Sequence, residues 1–96
     1  MTEPRGHITG THQKHKVKLY ALSTCIWCRK IRQFLESENV TFDFVYVDLL
    51  TGEEREAEKD ALRAWNPRVS FPTVVIDEET CVIGSKIDRL KEALGL

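Results

Sequence analysis

Val17-Lys18-Leu19-Tyr20-Ala21-Leu22 is an apolar run that passes through Ser23-Thr24 into Cys25-Ile26-Trp27-Cys28. Beyond the second cysteine, Ile31, Phe34 and Leu35 recur at helical spacing. A strand therefore ends, and a helix begins, around a pair of thiols. The first turn of a helix carries unpaired backbone N–H groups and the positive end of the helix dipole, and both favour a thiolate, the form that attacks disulfides. Cys28, Ile31 and Leu35 lie three and four residues apart, on the face this helix buries. Cys25 lies at the open end, within reach of a partner. The spacing thus separates an attacking thiol, Cys25, from a resolving thiol, Cys28. The same spacing also fits half of a metal site, a pair of buried structural thiols or a structural disulfide. Strand–turn–helix context favours redox chemistry over these.

The chain of 96 residues makes one small domain with a single core. A formal net charge of −1 argues against a nucleic-acid binder that works by neutralising phosphates. No apolar stretch approaches the ~18 residues of a membrane-spanning helix, and no secretory leader is apparent. Three cysteines, an odd number, do not form a disulfide framework, so a cytoplasmic, reducing location is expected. Residues 1–15 are polar, hold Pro4, Gly6 and Gly10, and show no periodicity, which predicts a disordered N-terminal tail ahead of a domain spanning 16–96. The tail contains all three histidines, His7, His12 and His15, which read as solvated residues rather than metal ligands.

The domain reads as strand, helix, strand, helix, strand, strand, helix. The first helix is expected over 26–38. The alternation of Phe42-Asp43-Phe44-Val45-Tyr46-Val47 predicts the second strand. Thr51 with Glu54 resembles a capping box that opens a charged helix over 53–65, stopped by Asn66-Pro67. Thr73 to Ile76 is a continuous apolar strand, and Asp77-Glu78-Glu79-Thr80 turns the chain into Cys81-Val82-Ile83. Ser85 with Asp88 suggests a second capping box for a last helix whose inward stripe is Ile87, Leu90 and Leu94, with Gly95 past its end. Connection rules then predict a parallel pair across the first helix, an antiparallel hairpin later, and a four-stranded mixed sheet with three helices packed on both faces. Cys25 falls just beyond the carboxyl end of a strand, where α/β sheets place their ligands.

The element order, the Cys25-Ile26-Trp27-Cys28 motif and Ser70-Phe71-Pro72-Thr73 ahead of the third strand resemble a glutaredoxin-type member of the thioredoxin superfamily. The resemblance covers about 16–96 and implies a thioredoxin-like α/β fold. It implies that Pro72 is a cis-proline facing the thiols and that the backbone of Phe71 is free to pair with an extended peptide or glutathione. It also implies a carboxylate-binding role for Gly84, Ser85 and Asp88 at the start of the last helix. The chain departs from the family pattern in three places. Ser85 replaces a second glycine, Ile26-Trp27 replaces Pro-Tyr, and Leu22 and Ser23 stand where many glutathione users carry a lysine. Arg68, just before the proline segment, is a candidate substitute for that cation, with a plain solvated loop arginine the alternative. The long middle helix is similar to that of glutaredoxin-like redoxins of anaerobic microbes.

Trp27, between the thiols, offers an apolar surface to a partner's disulfide. Trp65 is expected to anchor the middle helix, and Arg29, Lys30 and Arg32 to form a solvated positive face. Cys81 reads as a packed core thiol away from the chemistry. The function expected is a dithiol oxidoreductase that reduces protein or small disulfides through a Cys25–Cys28 couple, as an electron carrier in cell redox homeostasis. It is expected to be a monomer with no metal, no tightly bound cofactor, no membrane and no nucleic-acid partner. Its electron donor is expected to be a thioredoxin-reductase-type flavoprotein or a thiol, with glutathione a candidate co-substrate. The alternatives are monothiol deglutathionylation through Cys25, iron–sulfur or zinc binding by a dimer sharing Cys25, and a redox-inert peptide-binding module.

Overall fold

Five strands and three helices organise the chain in the computed structural model, which describes residues 3–96. They follow one another as β1 (Arg5–Ile8), β2 (Val17–Ala21), α1 (Ile26–Ser37), β3 (Phe42–Tyr46), a short 3-10 turn (Val47–Leu49), α2 (Gly52–Arg63), β4 (Thr73–Ile76), β5 (Thr80–Ile83) and α3 (Ile87–Leu94). The strand order in the sheet is β1-β3-β2-β4-β5. β2 and β3 run parallel across the α1 crossover, with Ala21 opposite Tyr46. β4 is antiparallel to both β2 and β5. The expected thioredoxin-like α/β architecture is present, and the hairpin of β4 and β5 closes through Asp77 and Glu78, both at positive φ.

Side-chain alternation assigns each sheet face its own core. Val17, Leu19, Ala21, Phe42, Phe44, Val74 and Ile76 point to one face, where Cys28, Ile31 and Leu35 of α1 and Leu90 and Leu94 of α3 cover them. Tyr20, Val45 and Val75 point to the other, where Leu62 of α2 and Leu50 close the cluster. α2 buries only Glu58 and Leu62, and the Glu58 carboxylate meets Lys18 Nζ and Arg5 Nη1, each at 3.0 Å. The two cations offset the cost of burying that charge. Gly95 ends α3 at φ 71, the left-handed conformation that glycine adopts without a side-chain clash.

Two expectations are corrected. The N-terminal segment is not a disordered tail over the described residues: Arg5–Ile8 pairs antiparallel with β3, so the sheet has five strands and not four. Met1 and Thr2 lie outside the described residues. Ile8 packs on the α1 side while Arg5 reaches Glu58 on the α2 side, so the strand does alternate, but with a glycine and charged residues in place of a hydrophobic face. Gly6 lies against the ring of Phe44, and Gly10 packs so close to the Asn39 carbonyl that a Cβ would collide with it. Gly10 is further tied by its N–H to Thr41 Oγ1 at 2.9 Å, and Thr41 returns a bond to Gly10 C=O at 3.0 Å.

Neither capping box forms, the second expectation to fail. Glu54 turns toward Arg5 of β1, 3.8 Å away, rather than back to Thr51. The last helix is capped by Lys86, which puts the Ser85–Asp88 pair one residue out of frame.

Because Gly10 has no room for a side chain, Gly10→Ala is expected to destabilise the domain by about 1–3 kcal/mol, as overpacking does. That corresponds to roughly 4–8 °C of Tm per kcal/mol for a domain of this size. Thermal unfolding followed by circular dichroism checks it; a curve superimposing on that of the unsubstituted protein would mean the segment is not packed.

Candidate active site

Cys25 is the N-cap residue of α1, in extended conformation, and its Sγ accepts the backbone N–H of Cys28 at 3.2 Å. A sulfur thus fills the position where Ser, Thr, Asp or Asn oxygen ordinarily satisfies the first turn. Cys25 is half-buried, whereas Cys28 is only 1% exposed within the cluster of Ile31, Leu35 and Leu90. Cys28 Sγ accepts the Leu22 N–H at 3.5 Å. Burial pushes the Cys28 thiol up to about 12, helped by the adjoining Cys25 sulfur and more weakly by the Asp48 charge, with the Leu22 N–H working against them. The two thiols are therefore unequal in access, as the helical spacing implies.

The other expected residues fall into two groups. The Phe71–Pro72 bond is cis, Pro72 is buried and Phe71 is packed against both core clusters. The N–H and C=O of Phe71 have no backbone partner among the described residues, while Pro72 C=O accepts the Gly84 N–H at 2.8 Å. That bond ties the Phe71–Pro72 segment to the turn before α3. Gly84 adopts φ 87, and a Cβ there would meet open space, so its backbone rather than its packing requires glycine. Ser85 and Asp88 follow as exposed residues at the start of α3.

Trp27 is 52% exposed beside Ile26 at 59%, with the Lys30 ammonium 4.7 Å from its ring centroid, so an apolar surface flanks Cys25. Trp65 packs in the α2-side cluster, as expected. Cys81 belongs to that same cluster, on the opposite sheet face from Cys28, with its thiol 3.5 Å from the Trp65 carbonyl. His7 and His15 pair with Asp43 and Asp77 at 2.6 and 2.7 Å. Among the described residues, no three His, Cys, Asp or Glu side chains converge as a metal site.

A set of cations was missed in the sequence. Leu22, Val47, Asp48, Val69 and Phe71 line a pocket of about 420 Å³ whose remaining wall is Arg55, Lys59 and Arg63 of α2. Arg68, the candidate substitute, does not line it and is exposed, as its alternative reading has it. Arg55 donates to the Asp48 carbonyl at 3.1 Å, yet its Nε is buried with no partner. The three cations recur every four residues along α2, hence on one face, but in a helix this charged the pattern is indistinguishable from a solvated stripe.

With this geometry in place, comparisons with known proteins agree. The glutaredoxin family model matches residues 17–81, and the chain belongs to that family. It is 41% identical to the glutaredoxin of Methanosarcina mazei, covering 98% of this chain and 90% of that one at a TM-score of 0.91. Methanoredoxin of Methanosarcina acetivorans is 39% identical over 88% of each chain, with a TM-score of 0.85. A glutaredoxin-like 8.6 kDa protein of the rubredoxin operon in Clostridium pasteurianum is 31% identical over 79% of this chain and 97% of its own length. Family and fold together make this a thiol–disulfide redox protein.

The burial difference has a direct readout. At pH 8 under native, reducing-agent-free conditions, iodoacetamide is expected to label Cys25 well before Cys28, measured by mass spectrometry of peptides. Equal labelling rates would contradict the burial of Cys28.

Proposed function

We propose that the protein is a dithiol disulfide reductase and electron carrier. The observation that carries this is the pairing of a half-buried cap thiol, Cys25, with a fully buried one, Cys28, at one helix start. Cys25 thiolate attacks a substrate disulfide, forming a new S–S bond and releasing one substrate sulfur, which takes up a proton. Cys28 then loses its proton and attacks the Cys25 sulfur, expelling the second substrate thiol and leaving Cys25–Cys28 oxidised. Two electrons pass to the substrate, and a flavoprotein reductase or a thiol donor restores the pair. The unpaired backbone of Phe71 supports docking of an extended substrate, and Trp27 supports contact beside its disulfide. Gly84, Ser85 and Asp88 are assigned to the far end of the same groove. The chain acts as a monomer in a reducing, cytoplasmic compartment and needs no metal for this chemistry. Among the described residues, no helix is long and apolar enough to cross a membrane.

The pocket walled by Arg55, Lys59 and Arg63 favours a second reading, in which glutathione or another anionic thiol is the co-substrate. Supplying thioredoxin reductase with NADPH, or glutathione with its own reductase, and following substrate reduction separates the two donors.

Cys28→Ser is expected to trap a mixed disulfide at Cys25 that persists until external thiol is added, while Cys25→Ser abolishes reaction. Intact-mass measurement after mixing with a disulfide substrate checks both, and an adduct on Cys28 would overturn the assignment. Separately, dithiodipropionate is expected to react faster than cystamine, with hydroxyethyl disulfide between them. Lys59→Ala, which leaves the Arg55–Asp48 contact in place, is expected to shrink the advantage of the anion while sparing the neutral compound. At low salt an exposed pocket of this kind is worth about tenfold in rate, fading as ionic strength rises.

A further inference from the structure

We propose that Asp48 is a positioning residue for the redox pair, acting through Ser23. β2 and β3 pair in parallel with a constant offset, Lys18 opposite Asp43 through Ala21 opposite Tyr46. Carried two residues past the ladder, that register sets Ser23 opposite Asp48. The backbone ladder has ended there, and a side chain replaces it. Asp48 Oδ1 accepts the Ser23 N–H at 2.8 Å and Oδ2 accepts the Ser23 hydroxyl at 2.5 Å. Both carboxylate oxygens are thus spent on one residue, two positions before the attacking thiol.

The segment so held touches both sulfur-bearing residues. Leu22 N–H donates to Cys28 Sγ, and Leu22 C=O accepts the Cys25 N–H at 3.2 Å. Releasing Ser23 frees Leu22, and with it the backbone that aims Cys25 and holds the Cys28 sulfur. Asp48 is itself fixed from the other side, since Arg55 of α2 donates to its carbonyl. Around Asp48 the neighbouring elements thus place Ser23 of the β2–α1 loop on its carboxylate, the Cys28 thiol of α1 within reach of its charge, and the Arg55 guanidinium of α2 on its backbone carbonyl. The Asp48 carboxylate bonds to Ser23 and to neither sulfur, so it positions rather than catalyses.

This inference rests on the dithiol reading, and the experiment separates the two. Reduced full-length protein is mixed with 5,5′-dithiobis(2-nitrobenzoate) and quenched at intervals, and intact and peptide masses report the Cys25 adduct first and the Cys25–Cys28 disulfide second. Asp48→Ala removes both hydrogen bonds and is expected to slow both phases by roughly tenfold, since misplacing reacting atoms by an ångström costs up to about 100-fold. Asp48→Asn keeps an oxygen for the Ser23 N–H and offers an N–H to the Ser23 hydroxyl oxygen, and is expected to recover most of the loss. Labelling of Cys81, on the other face of the sheet, is expected to be unchanged in both variants at temperatures well below their Tm. Rates for Asp48→Ala within twofold of the unsubstituted protein would overturn the proposal. So would equal slowing in Asp48→Ala and Asp48→Asn, or slowing accompanied by faster Cys81 labelling, which marks general loosening. If the unsubstituted protein forms the adduct but never the internal disulfide, the dithiol reading fails, and the first phase alone then decides the role of Asp48.

Discussion

The hydrogen bond from Cys28 N–H to Cys25 Sγ joins fold and chemistry in one contact. A helix start must satisfy its free N–H groups, and here the group that does so is the half-buried Cys25 sulfur. The helix cannot be moved without moving the Cys25 sulfur that caps it. Burial of Cys28 three residues later follows from the same helix, because the face that carries Ile31 and Leu35 into the core carries Cys28 with them. Access for one thiol and protection for the other are thus consequences of helical period rather than of separate devices.

Around that helix the sheet supplies the remaining surfaces. The loop after β2 and the turn after β3 emerge at the same end because the two strands are parallel, which brings Ser23 to Asp48 and sets Arg55 beside them. The Phe71–Pro72 segment enters β4, which is hydrogen-bonded to β2 on its other side, so Phe71 and Leu22 meet in one pocket. The bond from Gly84 to Pro72 adds the turn before α3. Four chain segments distant in sequence converge because adjacent strands end together.

The charged residues of α2 divide along its length according to what lies opposite. Glu58 turns inward to Lys18 and Arg5 and locks the helix to β1 and β2. Arg55, Lys59 and Arg63 turn to the end of the sheet where Asp48 holds Ser23, Arg55 on the Asp48 carbonyl and Arg63 paired with Asp60 on its own helix.

The local sequence by itself determined most of this protein: the three helices, the four strands from Val17 onward, the parallel crossover, and the unequal burial of Cys25 and Cys28 are all written in apolar periodicity and in the placement of a thiol pair at a strand–helix boundary. Those features depend on neighbours within a few residues, which a linear pattern records. Tertiary structure decided the rest. Arg5–Ile8 became a strand because Phe44 accepts a glycine against its ring and Glu58 needs a cation, and neither demand is visible among Arg5, Gly6, His7 and Ile8. The same unseen strand drew Glu54 away from Thr51 and dissolved a capping box that had the right spacing. The Asp48 clamp and the cations of α2 arise from side chains dozens of residues apart in sequence from Ser23 and Leu22, joined only once β2 and β3 have paired. Contacts across that distance are fixed by register and packing, quantities that exist only in the folded chain.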